Sequence, residues 1–357
     1  MMRLFKFLKA YRLKNSQRSH KTGGFTLIEL LVGIIMTSLI ITPLLGLVIN
    51  MMDTDRKEQA KATSEQEIQA ALDYIARDLD QAFFIYDGLG LREIKNDLPQ
   101  VAVADADEEG EPVLVFWKRK FLPNSLPITG KGIGDCANND NNCDDGFVYS
   151  LVGYYLIKDD NCNNSAWSCA MRISRIELKD ALYDVNNPVN GEAPPVTNNE
   201  ASPGIGSVDQ LLEQSGSLEE KLNNWAGGGY DYTATPFQTL IDYIDQSTGA
   251  DVPQPQCSTE TRPEGSPRLD GSVYPAPYPY RQVPEPGSAD NEFLTGSFYA
   301  CVNTDQTVAQ VFIRGNALAR LRPKNQVPLY AANQRAYFPQ ASIQAQGSGL
   351  LNVNPSQ

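Results

Sequence analysis

Two hydrophobic rhythms follow one another near the start of the chain. From Phe25 to Met52 the sequence is almost continuously apolar, and Glu29 is its only charge. That run exceeds the roughly 18 to 20 residues a helix needs to span a bilayer. From Asp53 the pattern becomes amphipathic. Ile68, Leu72, Ile75 and Leu79 recur at spacings of three and four, and Ala82, Phe83 and Tyr86 continue the stripe. This predicts a helix buried along one face and ending near Gly88. Asp73 and Arg77 stand four apart on it, a spacing that favours helix. Pro43 and Gly46 interrupt the apolar half. Proline removes a backbone hydrogen bond and clashes with the preceding turn, so a kink or local melting is expected there. Gly33 would permit close approach of another helix.

After the helix the period falls to two. Pro112 to Lys120, Phe147 to Lys158, Met171 to Leu178, Phe298 to Asn303 and Thr307 to Arg314 alternate apolar with polar residues and are rich in β-branched and aromatic side chains. They read as strands. The fold class that follows is α+β, with an antiparallel sheet laid on the long helix. Between about Asn186 and Asn291 the chain is rich in Pro, Gly, Asn and Ser, and reads as an elaborated insertion within one domain. An independent second domain would have too few apolar residues for its own core. Two helical pieces are expected inside the insertion, Val208 to Trp225 and Phe237 to Asp245. The run Tyr274 to Tyr280 suits an extended, proline-stiffened loop. The tail after Arg335 is expected to be partly ordered.

The segment before the apolar run changes the picture. Residues 1–24 hold seven basic side chains and no acidic one. Positive charge ahead of an apolar helix holds that end in the cytoplasm. A secretory signal would have a shorter apolar region followed by a small-residue cleavage site. Here the junction Gly23-Gly24-Phe25-Thr26-Leu27-Ile28-Glu29-Leu30 lies before the apolar run. The basic leader, the Gly-Phe junction, the glutamate and the long apolar helix together resemble the processing site of type IV pilins and pseudopilins.

That resemblance carries expectations. A prepilin peptidase would cut after Gly24 and methylate the new amino terminus at Phe25. The mature chain would then keep its membrane helix. Residues 1–24 would be the cleaved leader, 25–88 the pilin helix with its transmembrane part at 25–52, and 89–357 the exported domain. Glu29, fifth from Phe25, would face the terminal amine of a neighbouring subunit and set axial register. A carboxylate at the centre of a bilayer-inserted helix costs about 2.5 to 3.5 kcal/mol, so one placed here calls for a partner. An uncleaved single-span anchor with a snorkelling glutamate is the alternative reading of the same residues. The segment Arg77 to Ala82 is similar to the helix end of J-type minor pseudopilins. With Arg77 to Tyr86 and Phe312 to Arg320, the chain looks most like the hormogonium polysaccharide secretion pseudopilins of filamentous cyanobacteria. The implied role is a minor pseudopilin, in export of a polysaccharide that supports gliding. Its partners would be other pseudopilins, the prepilin peptidase, an inner-membrane assembly platform and membrane lipid. It would be a single-pass plasma-membrane protein with its globular part outside the cytoplasm. A minor or adhesive type IV pilus subunit, or a pseudopilin of a protein-exporting system, would carry the same signals.

Charge narrows the classes further. The chain of 357 residues has 30 basic and 43 acidic side chains. Without residues 1–24, 23 basic remain against 43 acidic, a net charge of −20. A basic nucleic-acid surface is therefore not expected. Nor is catalysis: the only histidine is His20, in the leader, so no Ser-His-Asp, Cys-His or His-ligated metal arrangement would survive processing.

Six cysteines lie in the exported part: Cys136, Cys143, Cys162, Cys169, Cys257 and Cys301. An even count outside the cytoplasm points to disulfides, with 15 pairings open. The set expected is Cys136 with Cys143 and Cys162 with Cys169, which share one spacing, and Cys257 with Cys301. The six-residue spacers are too long for a CxxC zinc knuckle. Between the first pair runs an acid and amide cluster including Asp135, Asp140, Asp144 and Asp145. Such side chains supply oxygen ligands to calcium, and several pseudopilin domains bind it. Against that, Gly146 falls one place late for an EF-hand, and Asn and Asp equally favour a solvated turn. No other cofactor is expected.

Overall fold

The computed structural model describes residues 24–130, 136, 143–196, 199–206, 208–249, 251–257, 280–285 and 292–349. The fold is α+β, with a long N-terminal apolar helix and antiparallel sheets. The chain divides into two units between Asp55 and Arg56.

In the first unit, helix α1 (Leu27–Leu79) begins, and every residue from Leu27 to Met52 is exposed. Among the described residues it is the one helix long and apolar enough to cross a membrane. It continues unbroken through Pro43, so the melting expected there does not occur. Thr37 and Thr42 return their hydroxyls to the carbonyls of Gly33 and Ser38, at 2.7 and 2.8 Å. Polar side chains on the apolar stretch are thereby satisfied within the helix.

In the second unit the stripe is buried as expected, through Ile68, Leu72, Ile75 and Leu79. The helix ends at Leu79, however, nine residues before Gly88. Ala82–Ile85 form strand β1, all four residues buried. Phe83, Phe84 and Ile85 are aromatic and β-branched, and the edge of β2 (Glu108–Pro127) offers them backbone partners. Ala82 and Phe83 are therefore core residues of a strand, with Tyr86 buried just beyond it, rather than a continuation of the helix. Asp87 then caps helix α2 (Gly88–Ile94), accepting from the amides of Leu89 and Gly90. A single turn, α3 (Val101–Ala104), precedes β2.

Strand β2, with β3 (Cys143–Asp159), β4 (Met171–Lys179) and β5 (Gln238–Ile244), completes a five-stranded antiparallel sheet in chain order. Strand β5 occupies the segment expected to be helical. Its apolar positions Leu240, Ile241 and Ile244 fit either period, but Thr239, Ile241 and Tyr243 favour strand, and the free edge of β4 decides it. A second antiparallel sheet contains β6 (Arg281–Val283), β7 (Phe298–Asn303), β8 (Val308–Arg314) and β9 (Gln340–Gln346). Strand β9 lies in the tail. Its only large apolar residue is Ile343, so its strand character comes from seven paired positions on β8 rather than from its own pattern.

Successive side chains on a strand point to opposite faces. Lys118 and Tyr154 meet Asp78 of α1, while their neighbours Trp117 and Tyr155 meet Trp225 and Phe237 on the other face. The segment expected as an insertion thus covers the face opposite α1. Within it lie two short helices, α4 (Val208–Leu212) and α5 (Leu218–Asn223), in place of one continuous helix to Trp225. Ile205, Val208, Leu222 and Trp225 are all buried in the main core. Ser217 starts α5 with a reciprocal capping box to Glu220. Of the Tyr274 to Tyr280 run, all but Tyr280 lies outside the described residues.

Candidate functional site

The first candidate is the junction at the head of α1. Gly24 and Phe25 are exposed and precede the helix, and a side chain added at Gly24 would meet open space. Thr26 begins the helical bonding: its carbonyl accepts from the Glu29 amide at 3.0 Å. Glu29 therefore sits in the first turn, where the unpaired amides of a helix start favour a carboxylate. Gly24–Phe25 is thus an open, non-helical peptide bond placed directly before a rigid helix. Glu29 stands one turn away on a surface made mostly of exposed Leu, Ile, Val and Met.

The two segments that suggested the pseudopilin likeness turn out to be joints of the second unit. Asp78, from Arg77 to Tyr86, is buried. Its carboxylate accepts from Lys118 Nζ at 2.6 Å, Arg175 Nε at 2.6 Å and Tyr154 OH at 2.8 Å. Glu177 closes the network, with Arg175 Nη2 at 2.6 Å and Lys120 Nζ at 3.1 Å. Burial by itself would raise the Asp78 carboxyl, but the Arg175 hydrogen bond and the Lys118 charge outweigh it and hold the group low. In the same way burial is outweighed at Glu177 by Lys118 and Arg175, which hold its carboxyl down to about 2. Tyr86 completes the segment: Trp117 Nε1 donates to its hydroxyl at 3.0 Å, and that hydroxyl donates to the Leu222 carbonyl at 2.7 Å. Burial pushes the Tyr86 phenol above its ordinary value.

The second segment, Phe312 to Arg320, holds the two sheets together and ties them to α1. Arg314 and Asp245 are both fully buried and paired at 2.8 Å. Three of the four remaining guanidinium hydrogens go to the carbonyls of Pro253, Gly296 and Thr295. Asn316 caps the turn that follows by accepting from the Ala319 amide. Arg320 reaches α1, where it pairs with Glu67 and donates to Ser64 Oγ at 3.0 Å. Asp78 falls three residues after Ile75, on the buried face of α1. Nothing in the local pattern marked Asp245 or Arg314.

The structure joins Cys136 to Cys143, Cys162 to Cys169 and Cys257 to Cys301, with Cα separations of 5.9, 5.0 and 5.4 Å. Of the acid cluster, Asp135 and Asp140 lie outside the described residues. Asp144 and Asp145 are on β3, and Asp145 accepts from the Asn124 amide at 3.0 Å. Among the described residues no three His, Cys, Asp or Glu side chains come together as a metal site.

Comparison with protein-family models, with curated proteins and with solved structures finds no match.

Proposed function

We propose that the chain is a pilin-like structural subunit without catalytic activity: a minor pseudopilin of a short filament related to type II secretion systems and type IV pili. One observation carries this reading. A single helix presents 26 exposed, mostly apolar positions from Leu27 to Met52, with Glu29 in its first turn, and the same helix ends as a buried stripe in a disulfide-bonded α+β unit. An apolar helix of that length is stable in lipid or packed among like helices, and not in water. Gly24, open and just ahead of it, suits a peptidase that removes residues 1–24. The globular unit then lies outside the cytoplasm, where its disulfides persist.

Within this reading, Glu29 pairs with the amine of Phe25 in a neighbouring subunit. The partners are other pseudopilins, an assembly platform and lipid. The likeness of Arg77 to Tyr86 and Phe312 to Arg320 supports export of polysaccharide for gliding as the task. The second reading, a type IV pilus subunit or a protein-exporting pseudopilin, rests on the same helix. Mass spectrometry of the protein purified from membranes tests the proposal. A first residue of N-methylated Phe25 is expected, and a mature chain that retains residues 1–24 overturns it.

A further inference from the structure

A groove of about 570 Å³ lies on the second unit between α1, β5 and the loop closed by Cys162 and Cys169. Two of its aromatic side chains are exposed: Tyr74 from α1, 45 % exposed, and Trp167 from the disulfide loop, 41 % exposed. Between them the lining is mixed: Glu67, Thr239, Asp242 and Arg320 are interspersed with alanines and with Leu240 and Ile241. From this we infer that the groove is a binding site for a neutral polysaccharide chain.

The chemistry of the lining selects that ligand. A sugar ring has a C–H face that stacks on an aromatic ring and a rim of hydroxyls. Amphipathic aromatics serve such half-apolar surfaces, and convergent polar groups fix orientation. Here the hydroxyls meet two carboxylates that accept and one guanidinium that donates. A docking helix would require a continuous apolar stripe, whereas the lining of this groove carries three charged side chains. An acidic polysaccharide would meet a strongly acidic chain, at −20 without residues 1–24.

The groove is also built rather than incidental. The Trp167 amide donates to Ser165 Oγ at 3.2 Å, and the Ser165 carbonyl accepts from Lys324. Ser168 donates from both its amide and its hydroxyl to Asp242, at 2.9 and 2.7 Å. The disulfide closes the loop behind these bonds. A loop held in this way loses little further freedom when a ligand stacks on its exposed ring. At Tyr243 the backbone of β5 takes a left-handed conformation, φ 60°, which is strained for a bulky residue. The strained residue lies under Arg320, whose guanidinium carbon is 4.3 Å from its ring centroid. The inference deepens the polysaccharide-export reading and rests on it to that extent, while its test concerns the folded unit alone and does not depend on how the chain assembles.

Trp117 and Trp225 are buried, so Trp167 is the tryptophan that a collisional quencher reaches. The full chain in nanodiscs is titrated with three neutral hexasaccharides: β-1,4-linked glucose, α-1,4-linked glucose and β-1,4-linked mannose. Protection of tryptophan fluorescence from iodide by at least one hexamer is expected. By calorimetry, Trp167→Ala and Tyr74→Ala should each weaken that binding about tenfold or more, equivalent to about 1.4 kcal/mol. Phe121→Ala, which removes an equally exposed aromatic on the β2–β3 hairpin, should leave it unchanged. Absence of protection by all three hexamers up to about 10 mM, or binding unchanged in either groove variant, overturns the inference.

Discussion

The carboxylate of Asp78, near the end of α1, receives Nε of Arg175 from β4 at 2.6 Å. Ninety-seven residues separate the two, and both side chains are less than a tenth exposed. With Lys118 and Tyr154 on the same carboxylate, this contact fixes where the helix lies along the sheet. Asp78→Asn keeps the shape and removes the charge, leaving Lys118 and Arg175 with one buried anion fewer. Breaking a buried pair from one side costs about 3 to 5 kcal/mol. A drop of that size in urea-unfolding free energy is expected for the second unit, monitored by its buried tryptophans. Lys61→Ala, which removes a half-exposed pair with Glu65 at 3.9 Å, should cost no more than about 0.5 kcal/mol.

The same network sets a dependence on pH. Glu177 is held down to about 2 from an ordinary value of 4.5, and Asp78 is held below 3.8. A carboxyl lowered in the folded state stabilises it fully above the unfolded value, and that contribution is lost as pH falls through the folded value. Stability from these two groups should therefore be level above about pH 4.5 and decline between about 4.5 and 2. Glu108 works in the opposite direction, since burial raises its carboxyl despite the charge of Arg172. The double variant Asp78→Asn, Glu177→Gln should show a shallower loss over this window, measured as the urea midpoint against pH. An unchanged slope would mean that other carboxylates carry the acid sensitivity.

The buried Arg314 should not tolerate lysine. Its guanidinium serves Asp245 and three backbone carbonyls at once. A lysine offers three donors from a single point and cannot span these acceptors. Arg314→Lys leaves buried carbonyls without donors, at about 1 to 3 kcal/mol for each group. A fall of at least about 2 kcal/mol in unfolding free energy is expected. Amide exchange should quicken at Asp245 and at residue 314 itself, whose amides donate to the Arg314 and Ser297 carbonyls.

The three disulfides should differ in weight. Cys257–Cys301 closes a loop with a sequence separation of 44, against 7 for each of the other two. Loop-closure entropy gives about 4 kcal/mol for the long loop and about 2 for a short one. Replacing both cysteines of a pair by serine and measuring urea unfolding should preserve that order. Equal costs would show that local packing outweighs loop length. Non-reducing peptide maps should find no free thiol in protein taken from its native compartment.

Under the subunit reading, Glu29→Ala should leave an amine unpaired in an apolar filament. At about 3 to 5 kcal/mol, the loss would cut assembly by a factor of about 100 or more. Insertion in the membrane should survive, because the helix becomes more apolar. Cleavage after Gly24 should survive as well. Processed monomer should accumulate while crosslinks to other subunits disappear. Crosslinking at the wild-type level would show that the globular unit, and not Glu29, governs assembly.

Local order alone determined much of this protein. The apolar run from Phe25, the buried stripe from Ile68 to Leu79 and the two short-loop disulfides are readable from spacing, because each depends on neighbours within a few turns. Strands β2, β3, β4, β7 and β8 were readable for the same reason, as runs of alternating β-branched and aromatic residues. What the tertiary structure decided is where those patterns stop and what joins them. Ala82 to Ile85 left the helix because the edge of β2 offered backbone partners to a run equally able to continue it. Gln238 to Ile244 became strand for the same reason at the edge of β4. Gln340 to Gln346, almost without large apolar residues, is strand only because β8 lies beside it. Asp78, Asp245 and Arg314 look like solvated charges in the sequence. Their burial depends on partners 40 to 97 residues away, and no local pattern encodes a distant counter-charge.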